Sequence, residues 1–348
     1  MKKIIVIICT FLLLSIANGC KSESIETNDN NIQNSTAEDN TPNDTVEENK
    51  DKIISYYFAD KEEGVELLMS NDAYFDGFSK NELEFKMQKK DATIEEYKEF
   101  AKSQVLDFSD DHKALIDEYM SKIEQIIITN GYHLPQHDKI VFVCTTMEEE
   151  CGVSAYTHGI QIYLGNKALD RFSSAETVDY TLDLLLAHEL FHCLTRCNPD
   201  FRKDMYKIIH FTIQDEDFVL PSAVKEYYIT NPDVEHIDAY AQFVIDGKPF
   251  DCYMALVTKN HFEKKGDLFF DTATAALVPV DGSEKYYYPE DAANFDDILG
   301  KNTDYTIDPE ECMADNFAYA IVYGLNGQDG KGYNSPEIIE GIIDYLKQ

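Results

Sequence analysis

The sequence predicts an α+β protein, because helix-forming and strand-forming segments occupy separate stretches of its 348 residues. Residues 60–130 carry apolar side chains at helical spacing, which predicts an N-terminal helical region over 53–135. Residues 211–300 are rich in strand-forming runs, and residues 301–348 return to helical spacing. Hydrophobic residues make up 44% of the chain, enough for a sizeable core.

Residues 1–20 resemble the signal peptide of a bacterial lipoprotein. Two lysines precede the apolar run IIVIICTFLLLSIA, which is shorter than the roughly 20 residues that a membrane span needs. Gly19 precedes Cys20, so we expect Cys20 to carry the lipid that anchors the chain to the cell envelope, outside the cytoplasm. Ala17 and Asn18 depart from the usual pattern, and an ordinary secretory signal or an uncleaved anchor are the alternatives.

Residues 21–52 are dominated by Asn, Asp, Glu, Ser and Thr and have no apolar periodicity. Such a segment cannot bury enough surface to offset its ordering entropy, so it predicts a disordered acidic tether. The whole chain has 65 acidic and 30 basic residues, a formal net charge of -35. This balance excludes nucleic acid as a partner, because phosphates would be repelled.

The segment 136–210 is predicted to hold strands followed by a buried helix. KIVFVCTT (139–146) is rich in β-branched residues, and GIQIYLG (159–165) alternates as a strand at a sheet edge does. The helix is predicted to begin at Ser173 or Ser174 as N-cap and to end at Asn198-Pro199. It is apolar on most of its faces, so we expect a central position.

The run LLLAHELFHCLTR (184–196) places two histidines and a glutamate inside this apolar helix. Burying such groups costs free energy unless each finds a partner. His188 and His192 are four residues apart and share one helix face, so both imidazoles can bind one zinc ion. Glu189 lies about 100° around the helix, where it can take a proton from water. The HExxH spacing is typical of zinc peptidases, and two hydrogen-bonded core histidines are the alternative.

A catalytic zinc site needs a third protein ligand. The Gly and the third His that follow the motif in metzincins are replaced here by Thr195 and Asn198, which excludes that class. In gluzincins the third ligand is the glutamate of a later helix with the pattern ExxxD, whose aspartate holds a ligand histidine by a hydrogen bond. Three downstream pairs have this spacing: Glu263–Asp267, Glu311–Asp315 and Glu340–Asp344.

The pair Glu311–Asp315 is the best candidate. It lies in DPEECMADNFAYAIVYG, where Pro309 suits the first turn of a helix and Gly324 suits its end. The first pair encloses Lys-Lys-Gly, which is typical of a turn, and the last pair encloses a glycine in the final helix. A solvated acidic first turn, favoured by the helix dipole, is the alternative for Glu311 and Asp315.

HELFH followed far downstream by PEECMADNFA resembles bacterial zincin-type metallopeptidases of the gluzincin clan. The resemblance implies that His188, His192 and Glu311 bind Zn²⁺. It implies that Glu189 is the general base and then the general acid, and that Asp315 orients a ligand histidine. These peptidases also use a tyrosine or histidine to stabilise the oxyanion, for which several candidates remain open: His158, His210, Tyr305, Tyr319 and Tyr323.

The resemblance rests on the two motif helices and does not cover residues 21–135. It implies a zincin-like fold: a mixed sheet with an edge strand near 153–164 over the cleft, an active-site helix and a C-terminal helical lobe. The β-rich region 211–300 is then an insertion, and Asp246-Gly247 within it predicts a hairpin. Six cysteines follow Cys20, and their even number permits disulfides in an exported chain.

The expected function is hydrolysis of peptide bonds outside the cytoplasm by a zinc metallopeptidase, with a peptide or protein as substrate and the membrane as partner through the anchor. One alternative is a non-catalytic binding or scaffolding lipoprotein on the same fold, against which the intact Glu189 argues. A second alternative is an adhesin or solute-binding lipoprotein that binds no metal. The sequence does not specify the substrate.

Overall fold

The structure is a computed structural model that describes residues 52–174 and 180–348. The predicted signal peptide 1–20, with Cys20, and the predicted tether as far as residue 51 lie outside the described residues. The described part is α+β, as predicted, with helices packed around two separate sheets. None of the helices in this part is long and apolar enough to cross a membrane.

The N-terminal region is helical, as the apolar spacing predicts. Its helices are α1 (Lys61–Met69), α2 (Asp72–Asp76), α3 (Lys80–Met87), α4 (Ile94–Gln104) and α5 (Asp110–Asn130). The longest helix, α5, begins where the Ser109 hydroxyl accepts the His112 N–H at 3.1 Å, and it ends at Gly131 with φ 64°. Gly64 lets α1 approach the sheet, since a Cβ there would lie 2.9 Å from side-chain carbons of Val105 and Val143.

The first sheet is mixed and has five strands. They are β1 (Tyr56–Phe58), β2 (Val105–Leu106), β3 (Ile140–Thr145), β4 (Ala155–His158) and β5 (Gln161–Gly165). Strands β1, β3 and β5 are parallel, β4 is antiparallel to β5, and β2 is antiparallel to β3. The expectation that 159–165 forms an edge was wrong, because β4 lies outside β5 and covers it. The sequence analysis missed β1 and β2, which are too short to show a period of two.

The helices after this sheet are α6 (Asn166–Ser173), α7 (Leu182–Cys197) and α8 (Pro199–Ile208). The predicted N-cap of the buried helix was wrong. Ser173 is the last residue of α6, and its hydroxyl donates to the Asp170 carbonyl at 2.8 Å. Ser174 is the C-cap residue that follows. The residue before α7 is Thr181. The predicted end at Asn198-Pro199 is confirmed, since Pro199 opens α8.

The second sheet is antiparallel, with β6 (Thr212–Ile213), β7 (Ala239–Ile245), β8 (Lys248–Thr258) and β9 (Ala273–Pro279) in that order. Two short helices flank it, α9 (Ser222–Lys225) and α10 (Phe295–Leu299). The predicted hairpin is confirmed: Asp246 and Gly247 join β7 to β8 with φ of 50° and 72°.

The chain ends with α11 (Pro309–Tyr323) and α12 (Pro336–Leu346). Helix α11 packs along α7, where the ring of Phe317 lies 5.4 Å from that of Phe191, and it also meets α8, where the ring of Phe201 lies 6.3 Å from that of Phe317. This contact fixes which face of α7 meets the first turns of α11. The six cysteines of the described part are all free thiols, so none of the permitted disulfides is formed there.

Candidate metal centre

The two histidines of α7 point to the same place. Residues four apart share one helix face, and the rings of His188 and His192 lie 4.8 Å apart, centre to centre. Both side chains are buried, as expected for a helix that is apolar on most of its surface. Packing against α11 therefore forces two imidazoles into a region from which water is largely excluded.

The predicted third ligand arrives on α11. The Asp308 carboxylate caps this helix by accepting the Glu310 N–H at 2.8 Å, and Pro309 fills the first position. Glu311 Oε2 then lies 3.1 Å from His188 Nε2 and 3.7 Å from His192 Nε2. The other two ExxxD pairs do not take part: Asp267 accepts the Glu263 N–H in a turn, and Glu340 is exposed on α12.

The spacing of these three atoms suits a metal ion. Ligand atoms about 2 Å from a tetrahedral zinc ion lie roughly 3.3 Å from one another. The ligand atoms of His188, His192 and Glu311 all lie within 4.8 Å of one another, and all three residues are buried. His192 Nε2 has no hydrogen-bond partner in the described part of the chain although it is buried. A buried ring nitrogen without a hydrogen-bond partner is what a metal-binding histidine shows when its ion is absent.

His188 is oriented by the predicted aspartate. Its Nδ1 lies 2.9 Å from Asp315 Oδ1, and a proton on Nδ1 that donates to this oxygen would leave the Nε2 lone pair for a metal ion. Asp315 is itself fixed, because the Tyr180 hydroxyl donates to Oδ1 at 3.0 Å and the Thr303 hydroxyl donates to Oδ2. The sequence analysis predicted Asp315 in this position but neither of its hydroxyl donors.

His192 is oriented by Glu310, a residue that the sequence analysis missed. Glu310 Oε1 lies 3.1 Å from His192 Nδ1 and accepts the Thr195 hydroxyl at 2.6 Å. Arg196 Nη1 donates to the same oxygen at 3.2 Å, and the Tyr206 hydroxyl donates to Oε2 at 2.6 Å. Burial raises the pKa of Glu310, but His192 and Arg196 outweigh this and bring the pKa to about 2.

Glu189 lies beside the three ligand atoms without joining them. Its Oε2 accepts the Thr157 hydroxyl at 2.7 Å, which ties it to β4. Burial raises the pKa of Glu189, and the positive fields of His188 and His192 oppose this shift. A buried carboxylate with a raised pKa next to a metal site is chemically suited to accept and return a proton.

Two residues of the loop before β7 complete the centre, and neither was predicted. Asn231 Nδ2 donates to Glu311 Oε1 at 2.5 Å. Asp233 Oδ1 lies 3.9 Å from His192 Nε2, and ligand atoms of Asp233, Glu189 and His192 also lie within 4.8 Å of one another. Burial raises the pKa of Asp233 well above its ordinary value, and the nearby carboxylates of Glu189 and Glu311 add to the shift.

The centre opens into a cavity of about 480 Å³, a size that suits small ligands or part of a peptide. His188, Glu189 and Glu311 line it. Of the five candidates for oxyanion stabilisation, only Tyr305 and Tyr319 are among its lining residues. The other candidates lie elsewhere in the described part: His158, His210 and Tyr323.

No protein-family model, no curated protein and no solved structure matches the chain. The resemblance of the two motif helices to gluzincin peptidases therefore stays a prediction from their residues.

Proposed function

We propose that the protein is a zinc-dependent peptidase with His188, His192 and Glu311 as zinc ligands. The observation that carries the proposal is the convergence of their three ligand atoms, with a carboxylate holding the second nitrogen of each histidine. Such carboxylate–histidine pairs orient metal-binding imidazoles and raise their basicity. The parallel strands β3 and β5, the antiparallel edge strand β4 and the helix α7 beside it are compatible with a zincin-like arrangement.

The proposed reaction is hydrolysis of a peptide bond. When bound, zinc polarises a carbonyl group and lowers the pKa of water to about 7. Glu189 takes one proton from the attacking water as its oxygen bonds to the carbonyl carbon. Glu189 then returns this proton to the nitrogen as the C–N bond breaks, which leaves a carboxylic acid and an amine. The Thr157 hydroxyl donates to Glu189 Oε2 and so helps to hold this carboxyl group beside the proposed zinc ligands.

The test compares metal content and activity. We expect the purified chain to hold one zinc ion per molecule by elemental analysis, and to release new amino groups from casein. Glu189→Gln should keep the zinc and lose the activity, whereas Glu311→Ala should lose both. Glu340→Ala is the matched control, since it removes an exposed glutamate with the same ExxxD spacing and should change neither.

Each outcome separates one function from another. A chain that takes up no zinc after reconstitution contradicts the metal site and favours an adhesin or solute-binding protein. A chain that binds zinc but releases no amino groups from any peptide favours the non-catalytic scaffolding protein.

We also propose that the protein is exported and held at the cell envelope by a lipid on Cys20. The apolar run that ends in Gly19 and Cys20 supports this proposal. Cys20→Ser should move the protein from the membrane fraction to the soluble fraction in a cell that processes lipoproteins. An unchanged distribution would contradict the anchor and leave the peptidase proposal untouched.

A further inference from the structure

One end of the cavity is closed by the segment 231–235, which crosses the outer side of strand β4. In an antiparallel pair, every second residue turns its N–H and C=O away from the partner strand. On β4 and just after it, the outward N–H groups of Thr157 and Gly159 donate to Asp233 Oδ1 at 2.6 Å and to Glu235 Oε1 at 2.9 Å. An extended peptide that pairs with this edge needs those same donors. The edge is therefore closed from Thr157 onward.

The segment 231–235 is tied to both motif helices. The Asp233 N–H donates to Asn231 Oδ1 at 3.0 Å, which makes a tight turn. Arg196 on α7 donates to the Asp233 carbonyl at 2.6 Å, and Asn231 donates to the ligand Glu311 on α11. Asp233 lines the metal-centre cavity on one side and a second cavity on the other, so the segment is a wall between them. A bound peptide chain has to stop at this wall.

Carboxyl groups crowd the closed end of the cavity. The carboxylates of Glu189, Glu311 and Asp233 are buried within the same small region, and Asp315 lies just behind His188. Carboxyl groups buried this close to one another repel each other when ionised, so a cationic group on the ligand next to Asp233 would stabilise the ionised form.

From this geometry we infer that the closed end binds the free amino terminus of a peptide, with Asp233 accepting hydrogen bonds from the ammonium group. The inference rests on the proposed peptidase function and makes it an aminopeptidase-type activity. Charge decides which terminus enters, since a carboxylate terminus would be repelled by Asp233. Strand pairing favours the same terminus. A peptide that pairs with β4 in the antiparallel direction, which is the more stable one, has its amino end beside Thr157.

The open part of the cavity suits apolar side chains. Its apolar lining comes from Ala155 on β4, Leu256 on β8 and three residues of connecting segments: Ile229, Phe269 and Ile307. An aliphatic or aromatic side chain buried against these surfaces is stabilised because its apolar area is removed from water. The substrate class is thus a peptide with a free amino terminus and an apolar residue at or next to the cleaved bond.

The experiment measures binding and cleavage with pairs of compounds that differ only in whether the amino group is free or acetylated. Leucine hydroxamate and N-acetyl-leucine hydroxamate are titrated into the zinc-loaded chain by calorimetry. We expect the free amine to bind roughly 10- to 100-fold more tightly, as hydrogen bonds to charged groups imply. A leucine-initiated peptide should lose its first residue, and its N-acetylated form should not be cleaved, as followed by mass spectrometry.

Asp233→Asn should abolish the preference for the free amine while it keeps an oxygen to accept the Thr157 N–H. Glu235→Gln is the matched control: it lies on the same wall but lines only the second cavity, so the preference should stay. Equal binding of the two hydroxamates, or equal cleavage of the acetylated peptide, overturns the inference and leaves the peptidase proposal standing. Absence of zinc from the reconstituted chain overturns both.

Discussion

The strongest test of the metal centre away from its ligands is Glu310→Gln. Glu310 is not one of the proposed zinc ligands, yet its Oε1 lies against His192 Nδ1. Both carboxylate oxygens of Glu310 are held by hydroxyl donors, Oε1 by Thr195 on α7 and Oε2 by Tyr206 on α8. In the variant, the amide offers a single acceptor oxygen, and its NH₂ group faces either the imidazole or the Tyr206 hydroxyl. His192 then loses the partner that sets its tautomer and its orientation.

The expected loss is about 10- to 100-fold in zinc affinity, which corresponds to about 1.4–2.7 kcal/mol. Competition against a chromophoric chelator measures this dissociation constant. Tyr206→Phe is the matched control. It removes the hydroxyl that donates to Glu310 Oε2 at 2.6 Å but leaves the contact with His192, so we expect less than roughly a threefold change.

Two results would refute the reasoning. One is a Glu310→Gln chain that binds zinc as tightly as the native chain, which would mean that His192 needs no orienting carboxylate. The other is an equal loss in Tyr206→Phe, which would trace the effect to general loosening of the helix contact. Urea unfolding of the zinc-free chains separates a loss of stability from a loss of affinity.

Three further predictions concern stability, each measured by denaturant unfolding. Burial raises the pKa of Glu149 to about 7 from 4.5, so the folded state binds the proton more tightly and the free energy of unfolding falls as pH rises between these values. Gln does not titrate, so Glu149→Gln should reduce the fall in the free energy of unfolding over this pH range by about 3 kcal/mol. A variant with the same pH dependence as the native chain would contradict the prediction. Gly300→Ala should cost about 2 kcal/mol or more, since φ is 75° and its Cβ would meet Ile338 Cδ1 at 2.4 Å. Gly330→Ala, with φ 74° and open space, should cost less. Phe317→Ala should cost about 3–5 kcal/mol, because its buried ring joins α11 to α7, and a smaller loss would mean that the helices close the gap.

The motif helices could be predicted because each carries a strong local signal. In α7, two histidines four residues apart interrupt an apolar run, and in α11 a proline and a glycine mark both ends. The helix signals around Glu311, Pro309 before it and Gly324 after it, chose it over two other pairs of the same spacing, and the structure brings its carboxylate to both imidazoles. Long, periodic elements such as α5 were predictable for the same reason.

The parts that could not be predicted depend on contacts between distant segments. Asn231 and Asp233 lie in a loop without periodicity, in a chain with 65 acidic residues, so nothing local distinguishes them. Glu310 adjoins a predicted ligand, but only the packing of α8 and α7 around it reveals its role. Strand β2 has two residues and exists because β3 offers it a partner. The start of α7 was misplaced because α6 uses the serines that suit a cap.

The carboxylates on the outer side of β4 also bear on self-association. A sheet edge with free N–H groups is a template on which a second chain can add a strand. Asp233 and Glu235 occupy two of these donors and place negative charge along the edge. A double variant that frees both donors would offer an open, less charged strand end. We therefore expect such a chain to form oligomers or aggregates at concentrations where the native chain stays dispersed.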